Sequence, residues 1–176
     1  ILKNYVMKAK LINNKWAEYT EKIPDNDFYF ARSCIRQNFF PGSETVFLKI
    51  VSKIMGKNIY DDPHQTTCTG IAYHSGVIPM ETTMTVIARQ FSLMNKTGLK
   101  NFVPSCVTSF GLYNEVFETW KHFPETLEKT REALRKSTGR EFELPENITH
   151  TSDVIHKYRN EIAKLSKYKL INKNDN

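Results

Sequence analysis

Short apolar segments alternate along this chain with longer segments that have one apolar face. The apolar segments, at positions 28–31, 57–60 and 99–103, are bounded by turn residues and predict strands. The segments at 43–56 and 79–97, and one that starts just after 106, predict helices. Because strands that alternate with helices favour a parallel sheet, the predicted fold class is α/β, a small parallel sheet flanked by helices.

Two of these helices have apolar residues at helical spacing. In the first, Ser43 is the expected N-cap, Gly56 the expected end, and the apolar face is formed by Phe47, Ile50, Val51 and Ile54. The second has Pro79 in its first turn and is followed by Gly98. Its apolar stripe is expected to be core rather than a ligand set, and consists of Met80, Met84, Ile87, Phe91 and Met94.

The domain organisation follows from where these patterns begin and end. A further short strand is predicted around Phe142 and Leu144. The predicted division is an N-terminal arm or helix over 1–26, an α/β domain over 27–121, a helical extension over 122–166 with helices at 125–136 and 153–165, and a polar tail over 167–176.

Charge and hydropathy exclude two classes of function. The net charge is +6, but the basic residues are spread along the chain and acidic residues interleave the C-terminal helices, so nucleic-acid binding is not predicted. No stretch reaches the roughly 18 apolar residues that a transmembrane helix requires. No signal peptide is recognised, and a cytoplasmic location is expected, with association with a membrane complex left open.

The three cysteines are dispersed rather than paired. An odd number with gaps of 34 and 38 residues is not a disulfide framework. Cys34, Cys68 and Cys106 each follow a predicted strand, directly or within the next loop. Since the carboxyl ends of parallel strands lie at one edge of a sheet, we expect the three thiols to converge there on one site. The alternative is three inert buried thiols.

Three thiolates would favour an iron–sulfur cluster, Zn²⁺ or Cu(I). A tetrahedral site needs a fourth ligand, and the candidates are Ser109, His64 and His74, although each histidine is more simply explained as a solvated loop residue. Cys106 is predicted near a helix N-terminus, where the helix dipole favours the thiolate.

The cysteines and their neighbours resemble a known family. Cys34, Cys68-Thr69-Gly70 and the run 104–109 (Pro-Ser-Cys-Val-Thr-Ser) are similar to the cysteine-rich CCG domain in the B subunit of heterodisulfide reductases. Related domains occur in succinate dehydrogenase, fumarate reductase and sulfur-oxidation complexes. The run 88–93 (Ala-Arg-Gln-Phe-Ser-Leu) resembles the helix that precedes the third strand of that domain. The resemblance covers about residues 28 to 120.

The resemblance implies a cofactor, and the chain departs from the family at two of its ligands. The family's five cysteines hold a noncubane [4Fe–4S] cluster. Cys34, Cys68 and Cys106 match three of them, whereas Thr69 and Ser109 occupy the positions of the other two. The expected occupant is therefore a [4Fe–4S] cluster with a non-cysteine ligand, a zinc ion, or none.

Two functions follow from the resemblance. The first is a redox subunit that passes electrons between flavin and ferredoxin-type partner subunits and a disulfide or sulfane-sulfur substrate. The second is a non-catalytic subunit for complex assembly, with Phe39, Phe40 and Tyr73 as interface residues. A thiol-dependent hydrolase is not supported, because no histidine is placed by the sequence to act as its base.

Overall fold

The elements of the chain follow one another in the predicted alternation. The computed structural model describes residues 27–55 and 59–165. In chain order its elements are β1 (Phe28–Ala31), α1 (Cys34–Phe39), α2 (Pro41–Met55), β2 (Ile59–Asp61), α3 (Gly70–His74), α4 (Met80–Asn95), β3 (Asn101–Pro104), α5 (Val107–His122), α6 (Pro124–Thr138), β4 (Asn147–Ile148), α7 (Thr151–Lys157) and α8 (Arg159–Leu165).

The four strands of this region form one parallel sheet in the order β2-β1-β3-β4. In the central pair, Phe28 lies opposite Asn101 and Ala31 opposite Pro104. The chain first adds β2 on one side of β1 and then crosses to add β3 on the other side. This order confirms the predicted fold class, and it places a topological switch point between β1 and β3.

Side chains of the central strands supply both faces of the sheet, because successive residues of a strand point to opposite faces. Tyr29 and Ala31 pack on one face with α4 and α5, together with Leu134 of α6. Phe28 and Phe30 pack on the other face with Phe47 and Val51 of α2 and Val154 of α7. The molecule therefore has three layers, helix–sheet–helix.

The predicted buried stripe of the long central helix is confirmed. Met84, Ile87, Phe91 and Met94 are buried, and Met80 packs against the same cluster. The helix runs from Met80 to Asn95, with Pro79 as its N-cap. The stripe therefore forms core, as expected, and connects the sheet to α6.

Two predicted boundaries are wrong. Helix α2 begins at Pro41, not after Ser43, because proline suits the first helical position and Ser43 donates its hydroxyl to the carbonyl of Phe40 from within the first turn. The short strand expected around Phe142 and Leu144 is absent; β4 instead lies at Asn147–Ile148. The apolar side chains of Phe142 and Leu144 alternate with polar ones because both pack on the core. Between them, the N–H of Glu143 donates to the Asn95 side-chain oxygen at 2.8 Å.

Other differences concern short helices. Helices α1 and α3 lie where loops were expected, and the predicted helix over 153–165 is two helices separated at Tyr158. The expected arm over 1–26, the helix end at Gly56, the first two residues of the predicted second strand and the tail over 167–176 lie outside the described residues.

Candidate functional site

Two cysteines lie on either side of the topological switch point. Cys34 is the first residue of α1, just after β1, and Cys106 is the N-cap of α5, just after β3. Ligands of open α/β sheets bind in the crevice at such a point, where the loops after neighbouring strands diverge. Cys34 was expected in a loop and instead begins a helix, but its place at the sheet edge is as predicted.

Hydrogen-bond donors favour the ionised form of Cys106. Burial raises the pKa of Cys106. Four hydrogen-bond donors together lower it by more: the N–H groups of Ser109 and Thr108 and the hydroxyls of Ser109 and Ser33. The net pKa therefore lies below the ordinary value. These donors belong to the first turn of α5 and to the end of the β1 loop. The thiolate is therefore stabilised by direct donors as well as by the helix N-terminus.

Cys34 has the opposite tendency. Burial raises the pKa of Cys34, the negative charge of Cys68 raises it further, and the charge of Cys106 adds to this, against a smaller opposing effect of the Ile35 N–H. The charges of Cys68 and Cys106 thus both oppose ionisation of Cys34, although the three thiols come from separate loops.

Cys68 is buried, with 5% of its surface exposed. Its Sγ lies 3.0 Å from Ser109 Oγ and accepts a hydrogen bond from the Gly70 N–H at 3.3 Å. A Cβ at Gly70 would lie 3.2 Å from that sulfur, closer than side chains normally approach. Glycine at position 70 thus allows the start of α3 to close over Cys68.

Thr69, next to Cys68, has a left-handed backbone conformation with φ 61° and ψ 9°. This conformation is rare for a β-branched residue and costs about 1–3 kcal/mol. Its hydroxyl donates to the carbonyl of Cys68 at 2.6 Å. Backbone strain of this kind is commonly found at functional sites.

Of the predicted fourth ligands, Ser109 lies with the thiols. It is buried and its hydroxyl contacts Cys68 while lowering the pKa of Cys106. His64 is exposed, and its Nδ1 lies 3.2 Å from an Asp62 carboxylate oxygen. His74 is exposed at the end of α3, with its ring 5.1 Å from that of Tyr73. Ser109 is therefore the candidate that the fold brings to the thiols.

Three thiols and the Ser109 hydroxyl all follow strands of the parallel sheet, and donors of this kind suit a soft metal in chemistry. Within residues 27–55 and 59–165, however, no three Cys, His, Asp or Glu side chains form a group that could hold a metal ion as they stand. Coordination by Cys34, Cys68 and Cys106 would therefore require a change in side-chain conformation.

Three residues of this edge were missed from the sequence. Glu44 accepts hydrogen bonds from the two loops that hold Cys34 and Cys106. His150 follows β4 and is the N-cap of α7. Tyr113, on α5, is fully buried in the core cluster that includes Cys68. The repeated Ser-Cys pair at 33–34 and 105–106 was a usable signal, and His150 would have been found had β4 been placed correctly.

Exposed apolar residues surround this edge. Phe39 and Phe40, at the end of α1, are 74% and 65% exposed, as the interface prediction required. Tyr73 instead packs partly against the core, and its hydroxyl donates to Glu115 at 3.3 Å. Ile35 and Val107 are also exposed, each directly after a cysteine.

The chain is similar to the B subunit of a heterodisulfide reductase. Over 116 residues, which are 66% of this chain, it is 27% identical to the B subunit of the ferredoxin:CoB-CoM heterodisulfide reductase from Methanosarcina acetivorans. The match spans 37% of the length of that curated relative. No family model matches the chain.

This relative supports the resemblance to the heterodisulfide reductase B subunit, whereas the CCG domain and its altered cysteine motif stay predictions. The name of the relative is that of one component of a reductase complex. Among the described helices, none combines the length and apolarity that crossing a bilayer requires.

Proposed function

We propose that this chain is a redox subunit of a heterodisulfide-reductase-like complex, in which Cys34, Cys68 and Cys106 hold an iron–sulfur cluster. Its partners would be flavin and ferredoxin-type subunits in the cytoplasm, and its substrate a disulfide or sulfane sulfur. The observation that supports the proposal is that Cys34 and Cys106 follow the two strands that flank the switch point of the sheet, and that buried Cys68 contacts Ser109 in the first turn of α5. The similarity to a reductase subunit supports it independently.

In this proposal the cluster would supply electron transfer, and the chain would supply sulfur ligands and the donors that stabilise them. Cys106 would ionise more readily than Cys34, because N–H groups and hydroxyls lower its pKa. Cys68 would keep its Gly70 N–H bond. Ser109 would stand at the fourth position, as the side chain that contacts Cys68.

A second function, assembly of the complex with little or no cofactor, is favoured by a specific observation. Thr69 and Ser109 stand where the resembled family has cysteines. The described side chains are also not arranged to hold a metal. The exposed Phe39 and Phe40 beside the site would then be contacts to a partner subunit.

Anaerobic purification separates the two functions. The protein is assayed for iron, sulfide and zinc, and its visible absorption is recorded. For cluster binding we expect iron and sulfide in the wild-type protein and their loss in Cys68→Ala and Cys106→Ala. Thr130→Val, which removes a buried hydroxyl that contacts Trp120 and Met84 rather than a cysteine, is the control and should keep the iron.

A folded wild-type protein without iron or sulfide after anaerobic reconstitution would exclude the cluster. Binding of a partner subunit that survives Cys68→Ala but is lost in a Phe39→Ser, Phe40→Ser double variant would then establish the assembly function.

A further inference from the structure

Glu44 is a buried carboxylate at the cysteine edge of the sheet. It lies in the first turn of α2 and is only 6% exposed. Removal of a carboxylate from water is strongly unfavourable unless hydrogen-bond donors replace the water. The burial of Glu44 therefore depends on the donors that surround it.

Two donors from different parts of the chain share one oxygen of Glu44. Oε1 accepts the backbone N–H of Ser33 at 2.7 Å and the hydroxyl of Ser105 at 2.5 Å. These donors lie 11 and 61 residues from Glu44 in sequence. A single acceptor oxygen therefore joins two segments that are remote from each other in sequence.

The two donors immediately precede the two cysteines at the switch point. The hydrogen bonds between β1 and β3 continue as far as the Ser105 N–H, which donates to the carbonyl of Ala31 at 3.0 Å. Beyond it the two loops diverge towards α1 and α5. Glu44 bridges the two loops next to this last backbone hydrogen bond, through Ser33 and the side chain of Ser105.

The carboxylate also fixes the direction of the neighbouring protons. A carboxylate only accepts hydrogen bonds, so the Ser105 hydroxyl must direct its proton towards Glu44. The Ser33 hydroxyl accepts the Arg36 N–H at 3.2 Å as the cap of α1. Its own proton is therefore available to the sulfur of Cys106.

We propose that Glu44 is a positioning residue that holds Cys34 and Cys106 together by binding Ser33 and Ser105. The inference rests on the proposed function only in treating these two thiols as parts of one site. It requires an acceptor oxygen at position 44, and it predicts that the loops separate when that oxygen is removed.

Bridging of the two thiols by dibromobimane in the metal-free full chain tests this role. The reagent joins two nearby thiols, and the bridged residues are identified by peptide mass spectrometry. In Glu44→Leu we expect Cys34–Cys106 bridging to slow about tenfold, the factor that corresponds to ~1.4 kcal/mol. Glu44→Gln keeps an oxygen that can accept both bonds, so it should retain most of the wild-type rate.

Thr130→Val separates positioning from general destabilisation. This variant removes a buried hydroxyl that accepts the Trp120 indole N–H at 3.3 Å, on the other side of the core. It should bridge at the wild-type rate at a temperature where all variants are folded. If Glu44→Leu does not fold, Ser105→Ala replaces it, since it removes one of the two donors and should slow bridging about threefold.

The possible results distinguish the two proposals. Equal bridging rates in the wild type and Glu44→Leu would overturn the role of Glu44 and leave the thiol site intact. If Glu44→Leu does not fold, equal rates in the wild type and Ser105→Ala would have the same meaning. If bridging is slowed in Glu44→Leu as expected but the protein takes up no iron, the proposal of cluster binding is overturned and the positioning role stands. A wild-type chain that is not bridged would overturn the positioning role, whereas the iron and sulfide assay would still decide the cluster.

Discussion

At the scale of single residues, the site separates its thiols by their surroundings. Cys34 and Cys106 are both partly buried. Cys106 has two N–H groups and two hydroxyls that lower its pKa, whereas burial and neighbouring thiolates raise the pKa of Cys34. Burial raises the pKa of both thiols, and the hydrogen-bond donors around Cys106 are what bring its pKa below the ordinary value.

Alkylation measures directly the order in which these two thiols ionise. Because the thiolate is the reactive form, Cys106 should react with iodoacetamide at a lower pH than Cys34 does. Its depressed pKa means that the proton is lost as the pH rises towards the ordinary thiol range, while Cys34 still retains its own. The midpoint of each pH profile, read by peptide mass spectrometry, gives the order; Cys34 titrating first would contradict it.

Loss of one donor should change only one of these midpoints substantially. Ser33→Ala removes a hydroxyl that lowers the pKa of Cys106 and should raise its alkylation midpoint, because the thiolate loses a hydrogen bond. Ser43→Ala also removes a hydroxyl near the start of α2, but one that donates to the Phe40 carbonyl, and serves as the control. An unchanged Cys106 midpoint in Ser33→Ala would show that Ser33 does not contact the thiolate in solution.

The strained Thr69 predicts an unusual response to mutation. Its φ of 61° suits glycine, so Thr69→Gly should be more stable than Thr69→Ala by about 1 kcal/mol. Both variants lose the hydroxyl bond to the Cys68 carbonyl, which cancels in the comparison. Urea unfolding of the two variants gives the difference, and a more stable alanine variant would show that the strain is absent in solution.

At the scale of elements, the sequence predicted those that have a long repeating pattern or clear boundaries. Helix α4 was recognisable because its apolar stripe repeats over four turns, and β1 because its run is bounded by turn residues. Helix α1 has six residues and β4 has two, too few for a period to appear. Glu44 and His150 were missed for this reason: their roles depend on loops and on a strand whose positions only the tertiary structure defines.

Helix α6 is joined to the core of the sheet through Leu134, which is fully buried with Trp120 and Phe142. Leu134→Ala should therefore lower the free energy of unfolding by about 2–5 kcal/mol, the usual cost of a cavity in a packed core. Glu132→Ala, on the exposed side of the same helix, should have little effect. Urea unfolding measures both. A cost below about 1 kcal/mol for Leu134→Ala would indicate that α6 contributes little to the core.

At the scale of the whole molecule, both faces of the sheet depend on the same two strands. Tyr29 and Phe102 pack on one face, and Phe28, Phe30 and Val103 on the other. The fold class followed from the alternation of elements in the sequence, but the position of the site followed from the strand order, which local patterns do not encode. Cys34 and Cys106 are neighbours because β3 pairs with β1 rather than with β2.

This shared sheet predicts cooperative unfolding. In a Trp16→Phe chain, Trp120 fluorescence reports the face that includes α5, while far-ultraviolet circular dichroism reports all elements. The two urea transitions should coincide, because neither face can be lost without loss of β1 and β3. Separate midpoints would show that the two faces unfold independently.

Within the described residues, the sheet is bordered by very short strands. Its outer members, β2 and β4, have three and two residues, so they present few free backbone N–H and C=O groups to another chain. The aromatic strand β1, Phe-Tyr-Phe-Ala, is paired on both sides and does not lie at a border. This arrangement keeps the aromatic strand away from pairing with another chain for as long as the sheet stays intact.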